Sequence, residues 1–407
     1  MNPFKAWLED ARRAPDVRHV DTCDGIRAMA ILIVGWFHIW QQSWLYPSLT
    51  VFGREISFDP LVRSGYMWVD LMILISGFCL FLPWVRAREE GRPLPATGDF
   101  YARRLMRIEP SYLLALAIMA AVAMATGAYR SRVDMAQDLL AHLTYTHTFF
   151  YKTYYATPLG GALWTLAIEM EFYLLFPLLA RAFLRLPATT LAAMVGVSLA
   201  FRGWVAANVE DVSLYFNQLP AYLDTFALGM AAAYAHVRLS GKRHGALQRL
   251  LCSALSVLML MLLWRVARRQ ASCPGTEAIR LGQMANRLSI GLLGAGLLLC
   301  SAHAGLLLRG VFSNPLTRFV SSVSMQFYIW HQTLAVWLLQ SGLIPSRSAT
   351  PNYDGEHAWQ LAFTAACFIG AFAVAALLTY AFERPAAKAL GRWWDALRGR
   401  AGKEKGA

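Results

Sequence analysis

Arg27 and His38 stand at either end of the stretch RAMAILIVGWFH, and none of the ten residues between them can ionise. Eleven steps of about 100° make about three turns, so the two side chains share one helix face. At about 1.5 Å per residue they lie roughly 16 Å apart along the axis, which is about half of a 30 Å hydrocarbon layer. With Arg27 at an inner interface, His38 reaches the midplane. The pattern reads as a basic group at the mouth of a lined path and a titratable group at its bottom. A neutral imidazole there can take a proton from a hydroxyl, which is general-base work. The plainer alternative is a histidine bonded to a neighbouring helix and an arginine snorkelling to the surface, but the shared face favours the functional pair.

A second histidine lies in SSVSMQFYIWHQTL, where Ser324, Tyr328 and His331 follow i, i+4, i+7 spacing on one face. His331 sits about as deep as His38, although sequence alone does not bring the two together. LWTLAIEMEFYLLFP buries two carboxylates, Glu169 and Glu171, about 200° apart around a helix, so only one can face a given cavity. Glu169 is the preferred functional one, with structural pairing to a cation as its alternative. YARRLMRIEPSY places Arg103 and Arg107 four apart with Arg104 beside them. Such a cluster suits phosphate oxygens, or else anchors the chain at the inner surface, and Pro110 is expected to restart the chain into the next span. Asp70 is either interfacial or buried, and the SGF at Ser76–Phe78 reads as helix packing. The aromatic segment YTHTFFYKTYYATPLGG can stack on sugar rings or simply lie at the interface.

The elements that must hold these residues are membrane helices. Of 407 residues, 57% are hydrophobic and 15% charged, against about 25% charged in soluble domains; the mean hydropathy is +0.39. The expected fold is all-α and polytopic, with about ten spans near 26–46, 66–85, 111–128, 164–184, 189–207, 219–237, 248–267, 286–308, 319–341 and 359–382. The N-terminus shows no cleavable signal pattern. Placing both termini in the cytoplasm leaves 26 of the 38 basic residues inside and 12 outside. Five of those twelve, Arg265, Arg268, Arg269, Arg280 and Arg287, form either an outer basic patch for an acidic glycan or the mark of a misplaced span boundary. The net charge of +13 is then topological bias plus a basic tail suited to an anionic inner leaflet, with no nucleic-acid partner required. Six cysteines show no metal spacing and no disulfide framework. The organisation is an N-terminal cytoplasmic segment (1–25), a membrane domain (26–385) and a basic cytoplasmic tail (386–407).

In this order across the chain, DGIRAMAILIVGWFH, ISGF, RRLMRIEP, LWTLAIEMEFYLLFP, SMQFYIWH and FERP resemble the acyltransferase 3 family of integral membrane O-acyltransferases, over about residues 21 to 385. Ala28 stands where the family often has Gly, and Thr165 where it usually has Ser. The resemblance implies transfer of an acyl group, commonly acetyl, from cytoplasmic acyl-CoA to a hydroxyl of an envelope glycan or similar acceptor, in a bacterial cell membrane and without a metal. It makes His38 the catalytic histidine, with Arg27 as the motif arginine. Arg103, Arg104 and Arg107 then serve the donor, and Glu169 the polar core. Attack on a thioester develops an oxyanion, for which Tyr328 and His331 are candidate donors. His38 either acts as general base or carries the acyl group itself; direct general-base transfer is the expectation. The competing class is a membrane transporter or flippase, which also suits midplane ionisable residues. The absence of inverted-repeat symmetry weighs against it.

Overall fold

The computed structural model describes residues 20–240 and 245–404, with side chains described to residue 398. Residues 1–19 of the expected N-terminal segment and 405–407 of the tail lie outside the described residues. Among the described residues, twelve helices of twelve residues or more follow one another: α1 (Asp21–Ser43), α2 (Val69–Glu89), α3 (Thr97–Ala125), α4 (Arg132–Leu143), α5 (Trp164–Arg185), α6 (Pro187–Asn208), α7 (Leu219–Ser240), α8 (Ala246–Ala271), α9 (Gly275–Ala302), α10 (Pro315–Ser341), α11 (His357–Leu378) and α12 (Arg384–Glu404). The described strands form one small hairpin, Ser48–Val51 with Arg54–Ser57. This is an all-α membrane protein, and among the described residues eight helical stretches are long and apolar enough to cross a bilayer.

The two long helices outside that set, α7 and α10, have a physical reason to be less apolar. Each is packed among other helices rather than facing lipid: α7 lies against α2, α6 and α9, and α10 against α1 and α11. Their interiors therefore carry polar groups such as Asp224, Thr225, Gln326 and His331, all buried. Close approach is built in by glycine. A Cβ on Gly229 of α7 would lie 2.1 Å from the Leu74 carbonyl oxygen of α2, and one on Gly77 of α2 would lie 2.5 Å from that of Phe226. α10 is started by a capping box, in which Asn314 Oδ1 accepts from the Thr317 N–H and Thr317 Oγ1 accepts from the Asn314 N–H, with Pro315 at the first helical position.

Several sequence expectations shift. α3 runs unbroken through Pro110, so RRLMRIEP lies within the helix rather than before a restarted span. The FERP stretch does not end the helix: Thr379–Glu383 forms a π-helical turn that leads directly into α12. α9 begins at Gly275, eleven residues before the expected boundary, and so takes in Arg280 as well as Arg287. Arg287 is fully buried, 3.6 Å from Asp70 Oδ2, and its guanidinium lies 3.6 Å from the Tyr222 ring centre. Beside it, Arg202 binds Asp224 at 2.6 Å, and both arginines donate to the Ala221 carbonyl. Asp70 is thus buried, not interfacial, and of the two readings of the five arginines the misplaced span boundary holds, since Arg287 is buried within α9.

Candidate active site

α1 and α10 lie side by side, and their histidines meet: His38 Nδ1 is 2.8 Å from His331 Nε2. Gly35, one turn before His38, lets the helices approach this closely, since a Cβ there would stand 2.6 Å from Cε1 of Phe327. The Phe327 ring in turn stacks parallel to that of His331, 5.4 Å away. The hydrogen bonds assign the tautomers. His331 Nδ1 faces two carbonyl oxygens of its own helix, Phe327 at 3.0 Å and Tyr328 at 2.8 Å, so it carries a hydrogen and donates. In the neutral pair His331 Nε2 is then the acceptor, and His38 Nδ1 is the donor to it. The lone pair of His38 rests on Nε2. His331 is fully buried, whereas His38 is half-buried.

Below the histidines lies a central cavity of about 120 Å³, lined by Arg27, Arg104, Arg107, Glu169 and Tyr328 among others. Tyr328 forms its wall next to the pair, with its ring 5.7 Å from that of His331. Thr165 lines the same cavity. Glu169 accepts from Ser76 at 2.7 Å and from Tyr173 at 2.9 Å, so Ser76 positions a carboxylate as well as packing. Arg104 lies over the rings of Phe100 and Tyr173. Arg27 donates to Ser321 Oγ at 3.4 Å and to Cys79 Sγ at 3.6 Å, and Ser321 donates to Asp24 at 2.7 Å. A second cavity of about 530 Å³, here called the vestibule, shares Cys79 with the first and is lined by Arg86, Arg92 and Arg103.

Seven of the eight residues singled out from sequence thus surround the histidine pair or the central cavity. Arg103 does not: it opens into the vestibule, apart from Arg104 and Arg107. Both ring nitrogens of His331 are engaged, which leaves Tyr328 as the hydroxyl able to meet an oxyanion. Glu171 lies half-buried outside the lining of either cavity. Sequence reasoning missed Gln326, whose amide donates to Ser111 at 2.6 Å and to Glu383 at 2.9 Å. That residue ties α10 to α3 and to the π-helical turn. Its only signal was a buried amide inside SMQFYIWH.

At the opposite end of the helices, the aromatic segment before α5 is mostly spent on the protein. Tyr145 donates to Glu109 and Tyr155 to the Ser213 carbonyl, while Tyr154 accepts from Asn217. Phe149, Phe150 and Tyr151 remain exposed. Asp138 of α4 accepts from Tyr129 and Thr157 and pairs with His142 at 3.1 Å, and the His147 ring stacks on His142 at 4.1 Å.

The acyltransferase domain model of the acyltransferase 3 family matches residues 21–380. A Staphylococcus aureus (strain COL) protein named as an O-acetyltransferase is 23% identical, over 81% of this chain and 52% of its own length. Nodulation protein 10 of Rhizobium leguminosarum bv. viciae is 25% identical, over 91% and 94%. The peptidoglycan O-acetyltransferase of Listeria monocytogenes is 21% identical, over 77% and 49%. The chain therefore spans about half the length of the staphylococcal and listerial relatives it matches. No solved structure matches it. Since the family model covers all of α1 to α11, with His38, His331 and both arginine groups inside it, the chain belongs to the acyltransferase 3 family.

Proposed function

We propose that this chain is a membrane O-acetyltransferase that carries an acetyl group from acyl-CoA to a hydroxyl of an envelope glycan. The observation that carries the reading is the His38–His331 hydrogen bond beside a cavity lined with arginines. The relatives' names favour acetyl as the group transferred. The excess of Lys and Arg at the end bearing Arg103, Arg104 and Arg107 supports a cytoplasmic placement of that end, where acyl-CoA is found. The acceptor then arrives from the other side of the bilayer.

In this mechanism His38 Nε2 takes the proton of the acceptor hydroxyl as its oxygen attacks the thioester carbonyl. His331 holds His38 in the productive tautomer and shares the charge that forms, backed by the carbonyls of Phe327 and Tyr328. Tyr328 donates to the oxyanion. Collapse expels the CoA thiolate, which recovers the proton from His38. Arg27, Arg104 and Arg107 offset the negative charge of donor and leaving group.

The test uses inverted membrane vesicles carrying the wild type or His38→Ala, fed acetyl-CoA labelled in the acetyl group. Base-labile label in envelope glycan with the wild type alone supports the reading. Equal labelling with both proteins refutes the role of His38, and no labelling from any acyl-CoA refutes the donor.

A further inference from the structure

We infer that the vestibule is the seat of the donor's nucleotide, held on Arg86, Arg92 and Arg103, and that Cys79 marks the neck through which only the donor's thin arm passes. The inference rests on the acyl-CoA reading above and divides that donor between two chambers.

Size separates the chambers first. The central cavity, at about 120 Å³, falls well below the range of about 300–1,000 Å³ of small-molecule sites, too little for a base, a ribose and phosphates together. The vestibule, at about 530 Å³, lies within the 300–1,000 Å³ range of small-molecule sites. Charge separates them next. The central cavity mixes its arginines with Glu169, whereas the vestibule lining has three arginines and no carboxylate. Guanidinium groups grip phosphate oxygens in bidentate fashion. Pro83, Pro93 and Pro95 supply rigid apolar wall beside them, suited to the face of a purine.

Adjacency is the third observation. Cys79 lines both chambers and accepts from Arg27 at 3.6 Å, so one small side chain stands between them. A phosphopantetheine arm is long, unbranched and narrow enough for such a neck. The arginine cluster of RRLMR thereby divides between the chambers, with Arg103 holding phosphate while Arg104 and Arg107 face the thioester end. Glu90 opposes the assignment, because it is bonded to Arg92 at 2.5 Å. That carboxylate competes with an incoming phosphate for the same guanidinium, which gives the inference a second, opposite-signed test.

The experiment measures equilibrium binding of CoA, 3′-dephospho-CoA and pantetheine to the purified full chain by calorimetry. Arg86→Ala and Arg92→Ala are expected to weaken CoA about tenfold each and to leave pantetheine unchanged, with dephospho-CoA between. Glu90→Gln is expected to tighten CoA. Arg86→Lys and Arg92→Lys, which keep the charge, guard against misfolding and should lose less than the alanine variants. Site-resolved alkylation of Cys79 by a maleimide should slow when CoA is bound. CoA affinity unchanged in both alanine variants overturns the inference, as does an equal loss for CoA and pantetheine. If the wild type still transfers acetyl from acetyl-CoA in that case, the proposed function stands and the vestibule assignment falls. If the wild type neither binds CoA nor transfers from acetyl-CoA, the donor reading itself falls.

Discussion

His331 Nε2 accepts a hydrogen bond from His38 Nδ1 across 2.8 Å, because two carbonyls of its own helix claim the hydrogen on His331 Nδ1. The direction of that bond decides which atom in the pair is a base. It leaves His38 Nε2 with the lone pair and gives His331 the part of an orienter.

The two histidines should therefore differ on substitution. His38→Ala is expected to lose about 10²–10⁴-fold in transfer rate, the usual worth of a general base. His331→Gln retains an acceptor for the His38 Nδ1–H and should keep more activity than His331→Ala, which has none. Labelled-acetyl transfer in vesicles ranks the three variants. Equal activity in His331→Gln and His331→Ala would mean that His331 does not set the tautomer.

Tyr328 is the hydroxyl between the cavity and the histidine pair. Tyr328→Phe is expected to reduce kcat by about 10²-fold, as for the loss of one oxyanion donor, with KM for acetyl-CoA unchanged. A rise in KM at constant kcat would assign Tyr328 to ground-state binding of the donor.

The shared face of Arg27 and His38 was legible because helix geometry alone fixes it. The meeting of His38 with His331 was not, since it depends on how α1 and α10 pack, and Gly35 is the residue that permits it. The arginines show the opposite case. Spacing put Arg103 and Arg107 on one face, but two cavities open along that face and divide them. Whether Asp70 was interfacial or buried, and whether Arg287 belonged to an outer patch or to a misplaced span boundary, stayed open in the sequence because each was judged within its own helix. Their pairing belongs to the fold.

That pairing predicts a stability phenotype. Asp70→Ala leaves Arg287 as a buried cation without its carboxylate, which costs about 3–5 kcal/mol. The double variant Asp70→Leu, Arg287→Met removes both charges and should recover most of the loss. Thermal unfolding in detergent measures both. A double variant no more stable than Asp70→Ala would show that Arg287 is held chiefly by the Phe216 and Ala221 carbonyls.

His147, in the connection between α4 and α5, titrates at about 3, held down first by burial and then by the neighbouring His142. Its ordinary value is about 6.5, so the folded chain binds fewer protons than the unfolded chain between about pH 3 and 6.5. The stability contribution is complete above about pH 6.5 and is lost as pH falls towards 3, by up to about 1.4 kcal/mol per pH unit. The Tm should fall between pH 7 and 5, and more steeply than in His147→Phe, which keeps the stack on His142 but cannot be protonated. Identical slopes in the two proteins would exclude His147 as the source.

Gly35 gives the sharpest separation of geometry from folding. Its hydrogen faces the edge of Phe327, where any Cβ would stand 2.6 Å from a ring carbon, and Phe327 lies flat against His331. Gly35→Ala must therefore displace the ring that backs the histidine. Overpacking of this kind costs about 1–3 kcal/mol, which a membrane domain of this size survives. A displacement of His331 should lengthen the bond that fixes the His38 tautomer, so activity should fall well beyond tenfold in a protein that still folds. Trimming the obstacle in Gly35→Ala, Phe327→Leu relieves the clash and should restore part of the transfer rate. Full activity in Gly35→Ala would mean that the helices adjust without moving His331, and that the 2.8 Å contact has slack.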